Sequence, residues 1–286
     1  IRSFDHYFMN LPRTDAEPDF ERFWEKSISD IRKTSIEPEI NESSKKTTQK
    51  FRAFDIAYNG FLKTRIRGLL YLPKKKKKVR VIIHIHDYNS YIDRALVRHL
   101  NESVGHLFLV MRGHDMIENR LPEEDRPLGY MIENIIDIET YYARSVYLDV
   151  YRSIDFLRLI NIVDCTKVGI SGKGFGAAAG FFTAVNSNRV AAIVVDSPIF
   201  CNLPLSQNMS QSDAAREIND IINIQKGKKH QIKKNLSYLD IVNFSDALTC
   251  PAMFVTGLND TIAPPECVLG LFNRLKCEKV IEVYPD

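Results

Sequence analysis

Hydrophobic and polar positions follow two different rhythms along this chain, and the change from one to the other organises it. Phe20, Phe23 and Trp24 fall on one face of a segment opened by Pro18 and Asp19, which predicts an amphipathic helix. The rest of residues 1–50 is polar, so the spacing predicts a helical extension followed by a polar loop over 41–49. Residues 51–60 and 66–72 then read as two strands, the second stopped by Pro73. From residue 79 onward, short apolar runs alternate with helical segments. Residues 79–85 and 107–111 read as buried parallel strands. A helix over 142–159, a strand over 167–171, a helix over 177–185 and a strand over 190–195 follow. Strands over 252–256 and 280–284 flank a helix over 265–276. This alternation predicts an α/β fold with a doubly wound, mostly parallel sheet. Residues 202–247 are polar and helical, which suits an insertion or cap on a single domain spanning 1–286. A chain of 286 residues can hold one core, burying roughly three quarters of its surface.

Composition narrows the partners. With 39 basic against 36 acidic residues the net charge is +3, too even a balance to predict nucleic-acid binding. Lys74 to Lys78 form a basic run whose plain reading is a solvated hairpin loop. The longest apolar runs fall far short of the ~18 residues of a membrane span, and no leader pattern is visible, so no membrane is expected. Cys165, Cys201, Cys250, Cys267 and Cys277 are odd in number and lack metal-type spacing. They read as small buried hydrophobes in a reducing, cytoplasmic compartment. No cofactor and no metal are expected.

The candidate chemistry lies at Gly172-Lys173-Gly174-Phe175-Gly176. A nucleophile elbow, G-x-S-x-G between a strand and a helix, lifts a serine hydroxyl above the sheet of an α/β-hydrolase. Here both outer glycines stand in place, but glycine occupies the centre. Gly174 has no side chain to attack a carbonyl or carry an acyl group. Three more segments sit at predicted strand ends, where open α/β sheets build their sites. They are His86-Asp87-Tyr88-Asn89-Ser90, Arg112-Gly113-His114, and the stretch from Gly257 to Pro265 that contains Asp260.

Seven features in order carry a family resemblance. They are the Pro-Asp-Phe-x-x-Phe-Trp helix at 18–24, His-x-Tyr-Asn at 86–89, Arg-Gly at 112–113 and Tyr-Tyr-x-Arg at 141–144. Asp-x-Pro-x-x-Cys at 196–201, Leu-Ser-Tyr at 236–238 with Asn-Phe at 243–244, and Gly-x-x-Asp-x-x-x-Pro-Pro at 257–265 complete the set. The chain resembles the acetyl xylan esterase and cephalosporin C deacetylase family (carbohydrate esterase family seven) over nearly its whole length. That resemblance implies an α/β-hydrolase that deacetylates small acetylated sugars, often as a homo-oligomer such as a hexamer. Carried over by position, the nucleophilic serine falls on Gly174 and the triad acid on Asp260. The oxyanion-hole amides fall on Tyr88 and Phe175. The family's glycine after histidine is Asp87 here, and its glutamine in Arg-Gly-Gln is His114. His86, Asp87, Arg112 and His114 are therefore expected around the pocket. Triad order in this fold is serine, acid, histidine. All seven histidines (His6, His84, His86, His99, His106, His114 and His230) precede Asp260, so the triad histidine is absent from this sequence. The expectation is an esterase-like protein that is inactive or very weak. The alternative is a non-catalytic module that binds an acetylated ligand or serves as an oligomeric scaffold.

Two local readings compete with the elbow. Gly169-Ile170-Ser171 also fits G-x-S, which would make Ser171 the nucleophile, but Lys173 then stands where the turn needs a small residue. Gly172-x-Gly174-x-x-Ala177 fits a dinucleotide-binding turn, with Asp196 about 20 residues on. His86 and His114 are also candidate general bases, although a histidine at a strand end is more often hydrogen-bonded structure.

Overall fold

The computed structural model describes residues 10–92, 94–114 and 129–285. The first nine residues of the expected extension, His6 among them, lie outside the described residues. The opening helix α1, Phe20–Lys33, buries Phe20, Trp24, Ser27 and Ile31. Their three-and-four spacing is that of one helical face. The Trp24 indole donates a hydrogen bond to the Tyr238 carbonyl at 3.0 Å, pinning α1 to the far end of the chain.

The strands are β1 (Glu39–Glu42), β2 (Phe51–Asn59), β3 (Arg65–Pro73), β4 (Val81–Ile85), β5 (Gly105–Val110), β6 (Val168–Lys173), β7 (Val190–Asp196), β8 (Ala252–Gly257) and β9 (Lys279–Tyr284). They form one sheet in the order β1-β2-β3-β5-β4-β6-β7-β8-β9. Pairing is antiparallel from β1 through β3 to β5 and parallel from there to β9. The reversal of strand order around β4 and β6 is the topological switch point where ligand sites arise in open sheets.

Strand β1 corrects the expected polar loop over 41–49. All four of its residues are exposed, so no hydrophobic alternation marked it. Its pairing with β2 makes it a strand, with Ile40 opposite Ile56. The run Lys74 to Lys78 is exposed throughout, as a solvated turn should be.

Helices α2 (Tyr142–Leu157) and α3 (Phe175–Asn186) are buried along nearly their whole length against the inward-facing residues of the sheet. Ile83, Ile85, Ile170, Val195 and Phe254 form that inner face. The parallel strands were expected to be buried on both faces, but β4 alternates buried and half-buried residues, as do β6 and β8. Their second face carries His84, Ser171, Lys173, Val194, Asp196 and Val255 around a cavity of about 380 Å³. Between β7 and β8 lie α4 (Leu203–Met209), α5 (Asp213–Ile224) and α6 (Lys229–Ser237). Helix α7 is Pro265–Arg274. Among the described residues, no helix is long and apolar enough to cross a membrane.

Candidate active site at the strand-to-helix turn

Strand β6 ends at Lys173 and α3 begins at Phe175, so the chain reverses through the single residue Gly174. Gly174 has φ 54° and ψ −118°, a conformation that strains any residue with a Cβ. Its N–H donates to the Asp196 carbonyl at 2.9 Å, and its carbonyl accepts from Ile199 N–H at 3.2 Å. The turn is thereby tied to the end of β7. A Cβ added at Gly172 would stand 2.5 Å from the Gly176 carbonyl, and one at Gly176 would stand 2.6 Å from that of Ile85. Strand, helix and the end of β4 meet backbone to backbone, which is why the two outer glycines are needed. Ser171 belongs to β6, opposite His84 on one side and Val194 on the other. It is a strand residue three positions before the turn, so the competing register fails.

The segment after β4 reaches the same point. Asp87 Oδ1 accepts from its neighbour, the Tyr88 N–H, at 2.7 Å. It also accepts from the Phe175 N–H at 2.7 Å. Two amides from separate elements thus converge on one carboxylate oxygen at the N-terminus of α3, where backbone donors and helix dipole favour an anion. A Cβ added at Gly174 would overlap Oδ1, Cγ and Oδ2 of this same carboxylate. Asp87 was expected near the pocket mouth; it borders the cavity, and its carboxylate fills the space in front of the turn. Burial pushes its pKa up to about 6, against the Phe175 and Tyr88 amides and Lys173, which favour the charged form, while Asp196 adds to the upward shift.

The two candidate bases are engaged elsewhere. His86 accepts at Nε2 from the Met111 N–H at 3.0 Å, and its Nδ1 lies 2.7 Å from the Asp87 carbonyl. That pattern needs the neutral ring, and burial holds its pKa down to about 4. His114 accepts at Nε2 from the Asn89 N–H at 3.0 Å and turns Nδ1 toward the Arg112 carbonyl. Both rings hold loops in place, the hydrogen-bonded structural role that a histidine at a strand end more often has.

Arg112 and His114 do not line the cavity, whereas His86 and Asp87 do. The Arg112 guanidinium grips Asp149 at 2.6 and 2.8 Å and the Phe61 carbonyl at 3.0 Å. It anchors α2 to the β2–β3 connection. Asp260 Oδ1 accepts from the Ile262 and Ala263 N–H groups at 2.8 and 2.9 Å, folding its own loop between β8 and α7. The Tyr88 hydroxyl donates to the Glu217 carboxylate at 3.0 Å. Glu217 also accepts from the Met131 N–H at 3.2 Å, so α5 supports the turn after β4.

Sequence reading did not bring together the side chains that furnish the cavity, naming Ser171 and Asp196 only for other roles. His84, Ser171, Lys173 and Asp196 stand at alternate positions on three adjacent strands and face the same side. The signal was available as polar residues at period two within apolar runs. His84 is hydrogen-bonded to His106 at 2.9 Å, and burial pushes its pKa down to about 3. It stays a neutral ring.

The family model for acetyl xylan esterase (AXE1) matches residues 5–286. The chain belongs to the acetyl xylan esterase family. Acetyl esterase Axe7A of Xylanibacter ruminicola is 25% identical over 283 residues, covering 96% of this chain and 64% of its own length. The chain therefore spans under two thirds of that relative. Among solved structures, the acetyl xylan esterase of Paenibacillus sp. R4 matches 100% of this chain and 93% of its own, with TM-score 0.90 and 22% identity. Acetyl xylan esterase 1 of Thermoanaerobacterium sp. JW/SL YS485 matches 100% of this chain and 92% of its own, with TM-score 0.87 and 20% identity. At these identities the likeness is one of fold, and the fold is that of the α/β-hydrolases.

Proposed function

We propose that this chain is a catalytically silent member of the acetyl xylan esterase family, one that keeps the esterase scaffold without its nucleophile. The observation that carries this reading is Gly174 at the centre of the turn between β6 and α3. A serine there would attack an acetyl carbonyl, a histidine would take its proton, and two backbone amides would hold the oxyanion. Here the attacking atom is missing. Removing the nucleophile of a serine hydrolase costs on the order of 10⁶ in kcat; what remains, about 10³–10⁴ over water, comes from the oxyanion hole and binding. With the Tyr88 and Phe175 amides engaged by Asp87, that remainder is also suppressed.

The same geometry disfavours a dinucleotide site. A pyrophosphate would need the N-terminus of α3, and a carboxylate already stands there. It equally disfavours a module that captures acetyl groups through the oxyanion amides. The test is p-nitrophenyl acetate hydrolysis by the purified chain, followed against a buffer blank. The expected result is no enzyme-dependent rate. Turnover that scales with protein concentration and is abolished by a serine-directed phosphonate would overturn the proposal.

A further inference from the structure

We propose that Asp87 is a resident ligand of the oxyanion hole, and that Asp87 and Gly174 act as one unit in which a tethered carboxylate replaces both the substrate oxyanion and the nucleophile's side chain. The inference rests on the reading of residues 172–176 as a nucleophile elbow and goes beyond the loss of serine: it says what took the vacated space.

Three observations meet here. The two N–H groups come from different parts of the fold, the turn after β4 and the first residue of α3, yet both point at Asp87 Oδ1 with equal 2.7 Å distances. Charge-assisted bonds of this kind are shorter and stronger than neutral ones. The volume a side chain at 174 would need is the volume the carboxylate occupies, since an added Cβ overlaps three of its atoms. The peptide that delivers Asp87 is itself fixed. His86 bonds the Asp87 carbonyl and the Met111 N–H, and the Tyr88 hydroxyl is held by Glu217. The carboxylate is thus seated by a rigid support, with Oδ1 on the amides and the residue at the edge of the 380 Å³ cavity.

If the carboxylate is the occupant, removing it should leave an empty site for a small carboxylate of the same shape. Sodium acetate is the probe, titrated into the full chain, Asp87→Gly and Asp87→Asn, and followed by ¹H–¹⁵N shifts of the Tyr88 and Phe175 amides. Asp87→Gly should bind acetate saturably, at least about tenfold more tightly than the parent, with both amides moving together. Asp87→Asn keeps a tethered carbonyl oxygen on the amides and should behave like the parent. Should Asp87→Gly fail to fold, the parent alone decides: both amide shifts should titrate with a shared midpoint as Asp87 ionises. His86, Lys173 and Asp196 are the other ionisable groups facing it. Equal acetate binding by parent and Asp87→Gly would overturn the proposal. So would a folded Asp87→Gly without binding, or parent amides that ignore that ionisation. Esterase activity in the parent would instead sink the silent-enzyme reading and leave the acetate result to be judged by itself.

Discussion

Asp87 should make the protein less stable as pH rises, and Asp87→Asn should remove that dependence. Burial raises the folded-state pKa of this carboxyl to about 6. In the unfolded chain an aspartate titrates near ~3.9. Between these values the folded state holds the proton and the unfolded state does not, so stability falls with pH across this window. The contribution is fully present below ~3.9 and is lost as pH rises through about 6. A gap of about two pH units at ~1.4 kcal/mol each gives about 3 kcal/mol. Asparagine keeps the shape and the acceptor but cannot ionise. Urea unfolding of parent and Asp87→Asn at pH 4 and pH 7.5 isolates this group, because every other titrating residue, buried Asp240 included, is common to both. Stability of the variant relative to the parent should improve by about 2–3 kcal/mol from the lower to the higher pH. The two backbone amides and Lys173 oppose this shift. If they outweigh burial, the folded pKa drops below ~3.9 and the relative stability moves the other way. A flat or reversed difference would refute the claim that desolvation dominates at this carboxylate.

Gly174→Ser alone should yield no esterase and a protein destabilised by about 1–3 kcal/mol, because the new Cβ meets the Asp87 carboxylate in a conformation suited to glycine. Thermal melts together with p-nitrophenyl acetate assays check it, and an active, undisturbed variant would count against the seated carboxylate. Arg112→Ala should cost about 3–5 kcal/mol in urea unfolding, since it strands Asp149, whose side chain is only 5% exposed, without its cation. A loss below about 1 kcal/mol would mean that the pair is as dispensable as a surface bridge.

The alternation of apolar runs and helices was legible because burial enforces it. Strand β3 is buried at seven of its nine residues, and α2 presents apolar side chains to the sheet on one side and to α1 on the other. Strand β1 was not legible, since an exposed edge strand is held by its neighbour's backbone and leaves no hydrophobic trace. At the site, the motif located the turn to the residue, because glycines at 172 and 176 answer a steric need that any sequence of this fold must meet. The partners of Arg112 and His114 were illegible for the opposite reason. Strand ends place a residue near the site, but the direction of its side chain depends on distant groups such as Asp149, 37 positions away, and Asn89. Asp87 is the instructive case. Sequence marked it as a departure from the resembling family but gave no hint that it pointed at Gly174, 87 residues along the chain.

That pairing constrains how such a site could arise. The resemblance places glycine at position 87 and serine at position 174, and two single substitutions separate that pair from the one found here. Introducing the aspartate first would drive its carboxylate into the serine's Cβ, with the turn already strained by a non-glycine residue. Losing the serine first relaxes the turn and leaves two unpaired amides facing a vacated space, which water or a small anion can satisfy. Asp87 then enters a hole of the right size, and its carboxylate satisfies both donors at 2.7 Å. Steric order therefore favours loss of chemistry before gain of the plug. On the reading proposed above, the aspartate did not disarm the protein; it occupied a site already disarmed. Once seated, it also blocks the return path, because restoring serine requires the aspartate to leave.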